Sequence, residues 1–262
     1  MKSTSFLAAT AALILFPIAG LQAGTPAEVT PAPASDSGWW VHSTGYAWLT
    51  ASKGDMRIGT LTIPVDISFN DAISSLDELD MGFMGGLEAG RGNWSLGVDA
   101  TYMKASDDFA GGGVVFRSFR LEQSQWMINP FVSYQLVKNE HWHLDAIVGA
   151  RINVIEMDVT GRFADGGQVT VGGSRDWIDP IIGLRGSWNL SDRLAVGFRG
   201  DIGGFGVSSD FTWQAYVGLG WKLTPRSTLA LGYRGLGTDY SEGDFGSDTV
   251  AHGPLLGLQF TF

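Results

Sequence analysis

VAHGPLLGLQFTF, residues 250–262, alternates between two kinds of side chain along its whole length. Apart from His252, every second residue is apolar or aromatic, and the alternation ends on Phe262. The residues between them are small or polar, with Leu255 as the exception. Because successive side chains of a β-strand point to opposite faces, this stretch predicts a strand with one apolar face.

Nine further segments show the same period, and Phe211–Leu223 is the clearest of them, with Trp213, Leu219 and Trp221 on one face. The ten segments lie at 40–51, 79–90, 94–106, 124–136, 142–158, 176–188, 193–205, 211–223, 227–238 and 250–262. An apolar face that alternates with a polar one is expected of strands in a transmembrane barrel.

The connections between these segments alternate between short and long. The short ones are 91–93, 138–141, 189–192 and 224–226, and the long ones are 52–78, 107–119, 160–176 and 239–249, with a compact one at 206–210. This arrangement predicts an all-β fold, a closed antiparallel transmembrane β-barrel of ten strands. Eight or twelve strands are the alternatives, because segment 40–51 has a blurred phase, Met56–Ile63 could pair as an extra strand and Asn70–Leu76 could form a helical turn.

The N-terminal residues 1–23 predict a secretory signal peptide. Lys2 supplies the positive start, Phe6–Leu21 form a mostly apolar core, and Leu21-Gln22-Ala23 fits a cleavage site. Residues 24–38 contain three prolines and predict a flexible linker, which leaves 39–262 for the barrel. The chain has no Cys and therefore no disulfide framework. Export without disulfides predicts passage through the periplasm to the outer membrane of a bacterium.

Aromatic residues on the apolar faces fall at two levels, which predicts two girdles at the membrane surfaces. Trp213 and Trp221 are eight residues apart, and at ~3.3 Å per residue and a tilt near ~40° they span roughly 20 Å, close to the ~25 Å apolar band of such barrels. A soluble lipocalin-like barrel, the alternative, has no reason to sort its aromatic residues in this way. The predicted girdle residues are Trp94, Tyr102, Trp126, Trp142, Trp188, Trp213, Trp221 and Tyr233.

The polar faces carry charged residues that a closed barrel would turn toward its lumen. Five are acidic and five are basic: Glu88, Asp99, Asp145, Asp179 and Asp201, with Arg151, Arg185, Arg199, Lys222 and Arg234. A balanced set in a narrow barrel predicts an ion-pair network that satisfies each buried charge. The alternative is a narrow channel for small solutes or ions, since water-filled porins usually have ~16–18 strands.

Negative charge outside the lumen is concentrated in the connections. Loss of Lys2 with the signal peptide takes the formal net charge from −10 to −11, and the long and compact connections hold 14 acidic and five basic residues. Asp239, Glu242, Asp244 and Asp248 form the densest group, whose spacing differs from an EF-hand loop. Divalent cations at these loops are a predicted partner class, solvated acidic loops are the alternative, and nucleic acid is disfavoured.

The sequence offers few residues in arrangements that are typical of a catalytic site. His141 and His143 flank a short turn, which predicts a role in interfacial hydration or capping, and His252 follows Asp244 and Asp248, which could imitate a water-activating pair. The phase of His252 points toward lipid instead. No nucleophile elbow, metal-ligand cluster or phosphate-binding loop is present, so no catalytic residue, metal or cofactor is predicted.

Several blocks resemble a largely uncharacterised group of bacterial outer-membrane barrels, similar in plan to the outer membrane protein A barrel and opacity-type surface proteins. The blocks are GYAW at 45–48, PVDISF at 64–69, DPIIG at 179–183, RGDIGGF at 199–205 and HGPLLG at 252–257. The resemblance implies contact with outer-membrane lipid and lipopolysaccharide, and insertion by the barrel-assembly machinery through a C-terminal signal at Leu258, Phe260 and Phe262. The peptidoglycan-binding domain that follows many such barrels has no counterpart in this sequence, which argues against cell-wall tethering.

Three functional hypotheses follow from these features. The first is a non-enzymatic structural or surface-contact protein with a lumen packed by ion pairs. The second is a narrow channel, which depends on the lumenal Arg and Asp residues. The third is an outer-membrane hydrolase, which depends only on His252 and the acids upstream of it.

Overall fold

The computed structural model describes residues 38–58, 60–74, 79–110 and 116–262. The predicted signal peptide and all of the predicted linker except Gly38 lie outside the described residues. Among the described residues, no helix has the length and apolar character that a membrane span requires.

Strands dominate the described part of the chain, which also contains one short helix. In chain order the elements are β1 (Trp39–Trp48), β2 (Ala51–Ile58), β3 (Leu61–Ile67), α1 (Phe69–Ser74), β4 (Leu79–Arg91), β5 (Trp94–Ala110), β6 (Phe116–Lys138), β7 (Trp142–Phe163), β8 (Gln168–Asn189), β9 (Leu194–Gly204), β10 (Ser209–Thr224), β11 (Ser227–Glu242) and β12 (Phe245–Thr261). All strand pairings are antiparallel.

The sheet closes into a barrel because β1 pairs with β4 on one side and with β12 on the other. β1 and β2 act as one wall strand, since β12 pairs with β1 along its C-terminal half and with β2 along its N-terminal half. β3 pairs only with β2 in the described part of the sheet. The barrel therefore has ten strands, as predicted, and the pairing of Met56 with Ile63 accounts for the extra strand.

The break between β1 and β2 explains the blurred alternation in the first segment. Leu49 N–H donates to the Pro254 carbonyl at 3.0 Å, and Trp48 Nε1 donates to the Gly253 carbonyl at 3.3 Å. A Cβ on residue 253 would overlap the Leu49 carbonyl oxygen. Gly253 is therefore required for the wall to pass this break without separating from β12.

The two faces of the wall are inverted relative to a water-soluble protein. On β10, Thr212 and Gln214 face inward and are buried, whereas Leu219 and Trp221 face outward and are 48% and 56% exposed. The predicted orientation is confirmed, with apolar side chains outside and polar ones inside. An outward apolar surface of this extent is costly in water and is expected where lipid surrounds the barrel.

Several predicted long connections are strand hairpins instead. β5–β6, β7–β8 and β11–β12 continue past the apolar band, so that Gln168 pairs with Arg162 and Glu242 pairs with Phe245. Above the band the outer face of the wall meets water instead of lipid, which weakens the selection for alternation while backbone pairing continues. The alternation with a period of two therefore stops at the edge of the apolar band, although the strands continue beyond it.

The wall has unequal heights. β8 pairs with β7 along Gln168–Trp188 but with β9 only along Ile181–Asn189, because β9 ends at Gly204. The upper part of β8 therefore has a neighbouring strand on one side only within the described chain. This leaves a notch in the rim between β8 and the tops of β10 and β11.

The segment between β2 and β4 covers the mouth of the barrel. Val65 and Ile67 of β3 and Ala72 of α1 are buried in an apolar cluster with residues of the opposite wall: Ile155, Trp177, Tyr240 and Phe245, together with Met56. We call this cluster the cap. Its helix confirms the turn predicted near Asn70, and it begins with a capping box.

In that capping box the Ser68 backbone N–H donates to Asp71 Oδ2 at 2.9 Å and the Asp71 N–H donates to Ser68 Oγ at 3.3 Å. The Ser68 hydroxyl also donates to Asp71 and lowers the pKa of this carboxyl group. The short helix is thus fixed at its start, where the chain turns from β3 over the mouth.

Candidate functional site

The lumen is the first candidate site because it contains most of the buried charge. Eight of the ten charged residues predicted to face it contact an opposite charge there. They are Glu88, Asp99, Asp145, Arg151, Arg185, Arg199, Asp201 and Arg234. Each is at most 9% exposed, so the charges are screened by one another rather than by water.

The first lumenal cluster is organised around Arg185 of β8. Its Nη1 lies 2.7 Å from Glu88 Oε2, its Nη2 lies 2.5 Å from Glu88 Oε1, and its Nε lies 3.1 Å from Asp145 Oδ2. The Ser95 hydroxyl donates to Glu88 as well, and Ser133 Oγ accepts from Arg185 at 3.0 Å. This bidentate geometry is the strongest form of a carboxylate–guanidinium pair.

The second cluster joins four strands through Arg151 of β7. Arg151 Nη2 donates to Asp201 Oδ1 at 2.6 Å, its Nη1 donates to Thr212 Oγ1 at 2.6 Å, and its Nε donates to Asn129 Oδ1 at 3.1 Å. Asp201 accepts a further bond from Arg199 Nε at 3.0 Å. All three nitrogens of this fully buried guanidinium therefore have partners.

The third cluster lies where β1 and β11 face the lumen. Arg234 Nη2 lies 3.7 Å from Asp99 Oδ1, and Arg234 Nη1 donates to the Tyr46 hydroxyl at 3.0 Å. Tyr46 in turn donates to Asp99 Oδ2 at 2.9 Å. The Arg234 guanidinium also lies 4.8 Å from the centre of the Trp48 ring, a distance at which a cation is attracted to the ring face.

Phe131 lies close to two arginines that the strand register places side by side. Arg185 and Arg199 are directly opposed on β8 and β9. Their guanidinium carbons lie 5.3 Å and 5.1 Å from the centre of the Phe131 ring. The ring therefore offers both cations a favourable face while their ion-pair partners lie in different clusters.

Two of the predicted network residues have other surroundings. Asp179 is fully buried and accepts from the backbone N–H and the hydroxyl of Ser209, at 2.7 Å and 2.6 Å, rather than from an arginine. Lys222 is half-buried near the end of β10, and no carboxylate within the described chain forms an ion pair with it. Asp179 thus anchors the β9–β10 turn, which sequence spacing alone did not indicate.

Some buried lumenal groups lack a hydrogen-bond partner among the described residues. They include Asn129 Nδ2, Asn153 Nδ2, Trp177 Nε1 and Gln259 Nε2. All four are N–H donors, and Asn153 of β7 is directly opposed to Trp177, the residue that β8 contributes to the cap. Buried polar groups of this kind usually bind ordered water.

The cap closes this polar interior from above with stacked rings. The Trp177 and Tyr240 rings are nearly parallel, 12° apart, with their centres separated by 4.3 Å. The Tyr240 hydroxyl donates to Glu242 Oε2 at 2.7 Å. Burial, followed by the hydrogen bond to the Glu242 carboxylate, raises the pKa of Tyr240 to about 12.

The predicted girdle residues lie on the outer face. Trp94, Trp126, Trp142, Trp188, Trp221 and Tyr233 are exposed, and Tyr102 and Trp213 are half-buried. Tyr102 and Trp126 are cross-strand partners whose ring centres are 4.4 Å apart. Trp48 and Trp177, which the sequence analysis did not single out, point inward and are buried. In the predicted assembly signal, Leu258 and Phe260 are half-buried and Phe262 is exposed.

His252, on which the hydrolase hypothesis depends, lies among aromatic side chains in the described structure. His252 faces outward, its Nδ1 lies 2.6 Å from the Tyr233 hydroxyl, and its ring meets the edge of Phe69. No carboxylate of the described chain bonds to His252, so the hydrolase hypothesis gains no support from this residue. His143 is buried in the lumen, with Nδ1 3.0 Å from Ser187 Oγ, so the interfacial role predicted for it is wrong. His141 is exposed in its turn, as predicted.

Aspartates form a row across neighbouring strands above the apolar band. Asp239 of β11 is directly opposed to Asp248 of β12, which is opposed to Asp55 of β2. Partial burial, followed by the charges of Asp248 and Asp210, raises the pKa of Asp239. Among the described residues no group of three or more His, Asp or Glu side chains is arranged to hold a metal ion. Cation binding at the acidic loops stays a prediction.

Comparison with known proteins shows a likeness in fold. No protein-family model matches the chain, and no curated protein sequence matches it. The Escherichia coli outer membrane protease OmpT superposes with a TM-score of 0.58 at 12% identity, covering 86% of this chain and 97% of that chain. The transport unit of the Escherichia coli autotransporter AIDA-I gives 0.40 at 11% identity, covering 89% and 93%. Ail of Yersinia pestis gives 0.35 at 11% identity, covering 87% and 100%.

The likeness to OmpT shows the fold and leaves the activity open. At 12% identity it establishes a barrel of the bacterial outer-membrane type. The role of this chain is therefore inferred from the residues of its own lumen and surfaces.

Proposed function

We propose that this protein is an integral barrel of a bacterial outer membrane, with a lumen closed to solutes, which acts through its exposed rim rather than through catalysis. The observation that carries the proposal is the mutual pairing of buried lumenal charges, centred on Arg185 with Glu88 and on Arg151 with Asp201. Arg185 of β8 reaches Glu88 of β4 across three intervening wall strands, and Arg151 of β7 reaches Asp201 of β9 across one. A solute would have to separate them.

The energetics favour a closed lumen. Charges in a water-poor interior interact strongly, and removal of one partner of such a pair typically costs about 3–5 kcal/mol. The cap adds a second barrier above the network, because Ala72 and Ile67 are buried against Trp177 and Tyr240. Passage would require both the ion pairs and the apolar contacts to open.

The membrane location is supported by the outer surface. Leu219, Val217 and Leu231 face outward at mid-height with about half of their surface exposed, and exposed tryptophans lie toward the ends of the strands. Such a belt matches the apolar band and aromatic girdles of outer-membrane barrels. Fractionation of cells that express the full chain should place it with outer-membrane lipid.

Bilayer recording on the purified full-length protein tests the closed lumen. We expect no conductance steps from protein reconstituted in planar bilayers, at a protein density where a known porin gives clear steps. Boiled and unboiled samples should migrate differently on a gel, which shows that the silent protein is folded. Regular steps of porin size would overturn the proposal.

A narrow channel is the second candidate, and the donors that lack partners favour it. Asn129 Nδ2, Asn153 Nδ2 and Gln259 Nε2 would each bind an acceptor such as water, and water along the lumen could carry small ions. On this hypothesis the double variant Arg185→Ala, Arg199→Ala should raise conductance or change ion selectivity. Lys53→Ala is the matched control, because Lys53 lies outside the lumen and is exposed. If neither variant gives conductance steps in planar bilayers, the channel hypothesis is wrong.

A further inference from the structure

We propose that the free edge of β8 binds an extended segment of a partner polypeptide in which apolar residues alternate with basic ones. This inference deepens the proposed surface-contact function and rests on it. The free edge is defined as Gln168–Asp176. All nine of its residues are exposed, and at ~3.3 Å per residue it is about 26 Å long.

The direction of the backbone groups follows from one contact at the lower end of the edge. Ser208 of the β9–β10 turn donates to the Ile178 carbonyl at 2.8 Å, so this carbonyl points away from β7 and into the notch. Backbone groups alternate sides along a strand. The N–H and C=O groups of Thr170 and Gly172 therefore also point into the notch, where no strand of the described chain pairs with them.

An unpaired row of this kind is a template for another strand. Natural sheets often protect such edges with proline, bulges or inward-pointing charges. Between Gln168 and Ser174 this edge has none of these, since its sequence is QVTVGGS. A strand added here would complete the backbone hydrogen bonds and extend the wall of the barrel.

The inner face of the edge selects apolar residues on the bound strand. Val169 and Val171 share the inward face of β8 with Trp177, and they are 43% and 70% exposed. Val159 of β7, directly opposed to Val171, is exposed beside them. Every second residue of a bound strand would lie next to these valines, which favours apolar side chains at those positions.

The surroundings of the notch select basic residues on the other face. Asp176 belongs to the edge itself, as does Arg175 on the inner face, and Asp210 and Asp239 lie on the opposite side of the notch. A second copy of this chain would bring the same acidic residues to the junction and be repelled. A segment with Lys or Arg at alternate positions complements the charge.

Two synthetic peptides test the assignment directly. One alternates Val and Lys, and the other groups the same Val and Lys residues in two blocks. Binding of each to the full-length barrel in lipid nanodiscs is measured by fluorescence anisotropy. We expect the alternating peptide to bind about tenfold more tightly or better. An alternating Val and Glu peptide should bind more weakly than both. Equal affinities for the alternating and the block peptide would overturn the proposal.

A matched pair of variants tests the backbone of the edge. Thr170→Pro removes an N–H that faces the notch, whereas Thr170→Val keeps it, and both lose the hydroxyl contact with Thr160. Proline is tolerated on an edge strand when its N–H side faces solvent. We expect Thr170→Pro to weaken binding of the Val and Lys peptide about tenfold and Thr170→Val to leave it unchanged. Equal binding by the two variants would overturn the proposal.

Further measurements keep the test decisive. If Thr170→Pro fails to fold, as shown by the loss of its gel-migration shift, Val171→Lys replaces it and should weaken binding by placing positive charge on the edge. Sedimentation of the wild type as a dimer and of Val171→Lys as a monomer would assign the edge to a second copy and overturn the partner proposed here. The absence of conductance steps in bilayers does not depend on any of these binding results. A wrong assignment of the free edge is therefore distinguishable from a wrong assignment of the closed lumen.

Discussion

Arg185 of β8 and Glu88 of β4 are 97 residues apart in the chain and form a bidentate ion pair across the lumen. Asp145 of β7 completes the set from a third strand. The pair therefore ties together wall strands that share no backbone hydrogen bonds. The stabilisation that this ion pair provides therefore requires the closed barrel and cannot arise within a single hairpin.

Arg185→Ala should destabilise the barrel by about 3–5 kcal/mol, because Glu88 and Asp145 would remain buried without their cation. The free energy of unfolding is measured by urea titration in lipid vesicles. Lys53→Ala is the control, since its pair with Asp66 spans 3.7 Å and both side chains are more than 70% exposed. It should change stability by less than ~1 kcal/mol. Similar losses in the two variants would contradict a buried pair.

Arginine substitutions along the outer face of β10 should show a dependence on depth. Leu219 and Leu223 both face outward and are about half exposed, and Leu223 lies beside the short turn. Leu219→Arg should cost roughly 2–4 kcal/mol and Leu223→Arg at most ~1 kcal/mol, because a charge near the middle of the bilayer loses more hydration. Unfolding in vesicles measures both values. Equal costs would mean that this face does not cross a lipid layer.

The cap should control access to the lumen. The chain has no Cys, so a cysteine at Asn153 reports on the space beneath the cap. A membrane-impermeant maleimide should label Asn153→Cys slowly, and about tenfold faster when Ala72→Asp is added, because a buried carboxylate would force the cap open. Ser74→Cys, on the exposed side of α1, should label at one rate in both backgrounds. An unchanged rate at residue 153 would refute the role of the cap.

Because of the row of aspartates, the free energy of unfolding of the barrel should rise when the pH is lowered slightly. Asp239 has a raised pKa in the folded state, so the folded form takes up this proton more readily than the unfolded chain. The repulsion is present above that pKa and lost as the pH falls through it. Asp248→Asn should therefore stabilise the protein at neutral pH by on the order of 0.5 kcal/mol and flatten the pH dependence.

Unfolding of the wild type and of Asp248→Asn at about pH 5 and about pH 8 measures this difference. Asp244→Asn is the matched control, because Asp244 is exposed in the β11–β12 turn and lies outside the opposed row. A larger effect from the control than from Asp248→Asn would show that total charge, and not the opposed geometry, sets the stability.

The in-and-out assignment of side chains was predictable because it is local. Alternation with a period of two places Trp221 on one face and Lys222 on the other whatever the rest of the chain does. The charged residues of the polar faces could be named for the same reason. Their partners could not, because the choice between Asp179 and Asp201 for Arg151 depends on side-chain reach across the lumen.

Features above the apolar band were harder to predict. Residues 168–176 lack alternation because they are exposed on both faces, so only backbone pairing reveals them as strand. Residues 107–110 likewise pair with 118–121, where the sequence predicted a loop. The helical turn near Asn70 gave a weak signal for the cap, but the cap joins Ala72 of this helix to Trp177, which is distant in the sequence. His143 was misplaced because its position beside a turn concealed its inward phase.

The sequence alone determined strands with apolar residues outside and charges inside, since strand geometry converts a period of two into two faces, and it favoured ten strands over eight or twelve. Only the tertiary structure decided which charges meet, which segment covers the mouth and where the rim is left unpaired. Those outcomes depend on barrel diameter and on unequal strand heights, which are properties of the closed sheet and have no counterpart in any local stretch of residues.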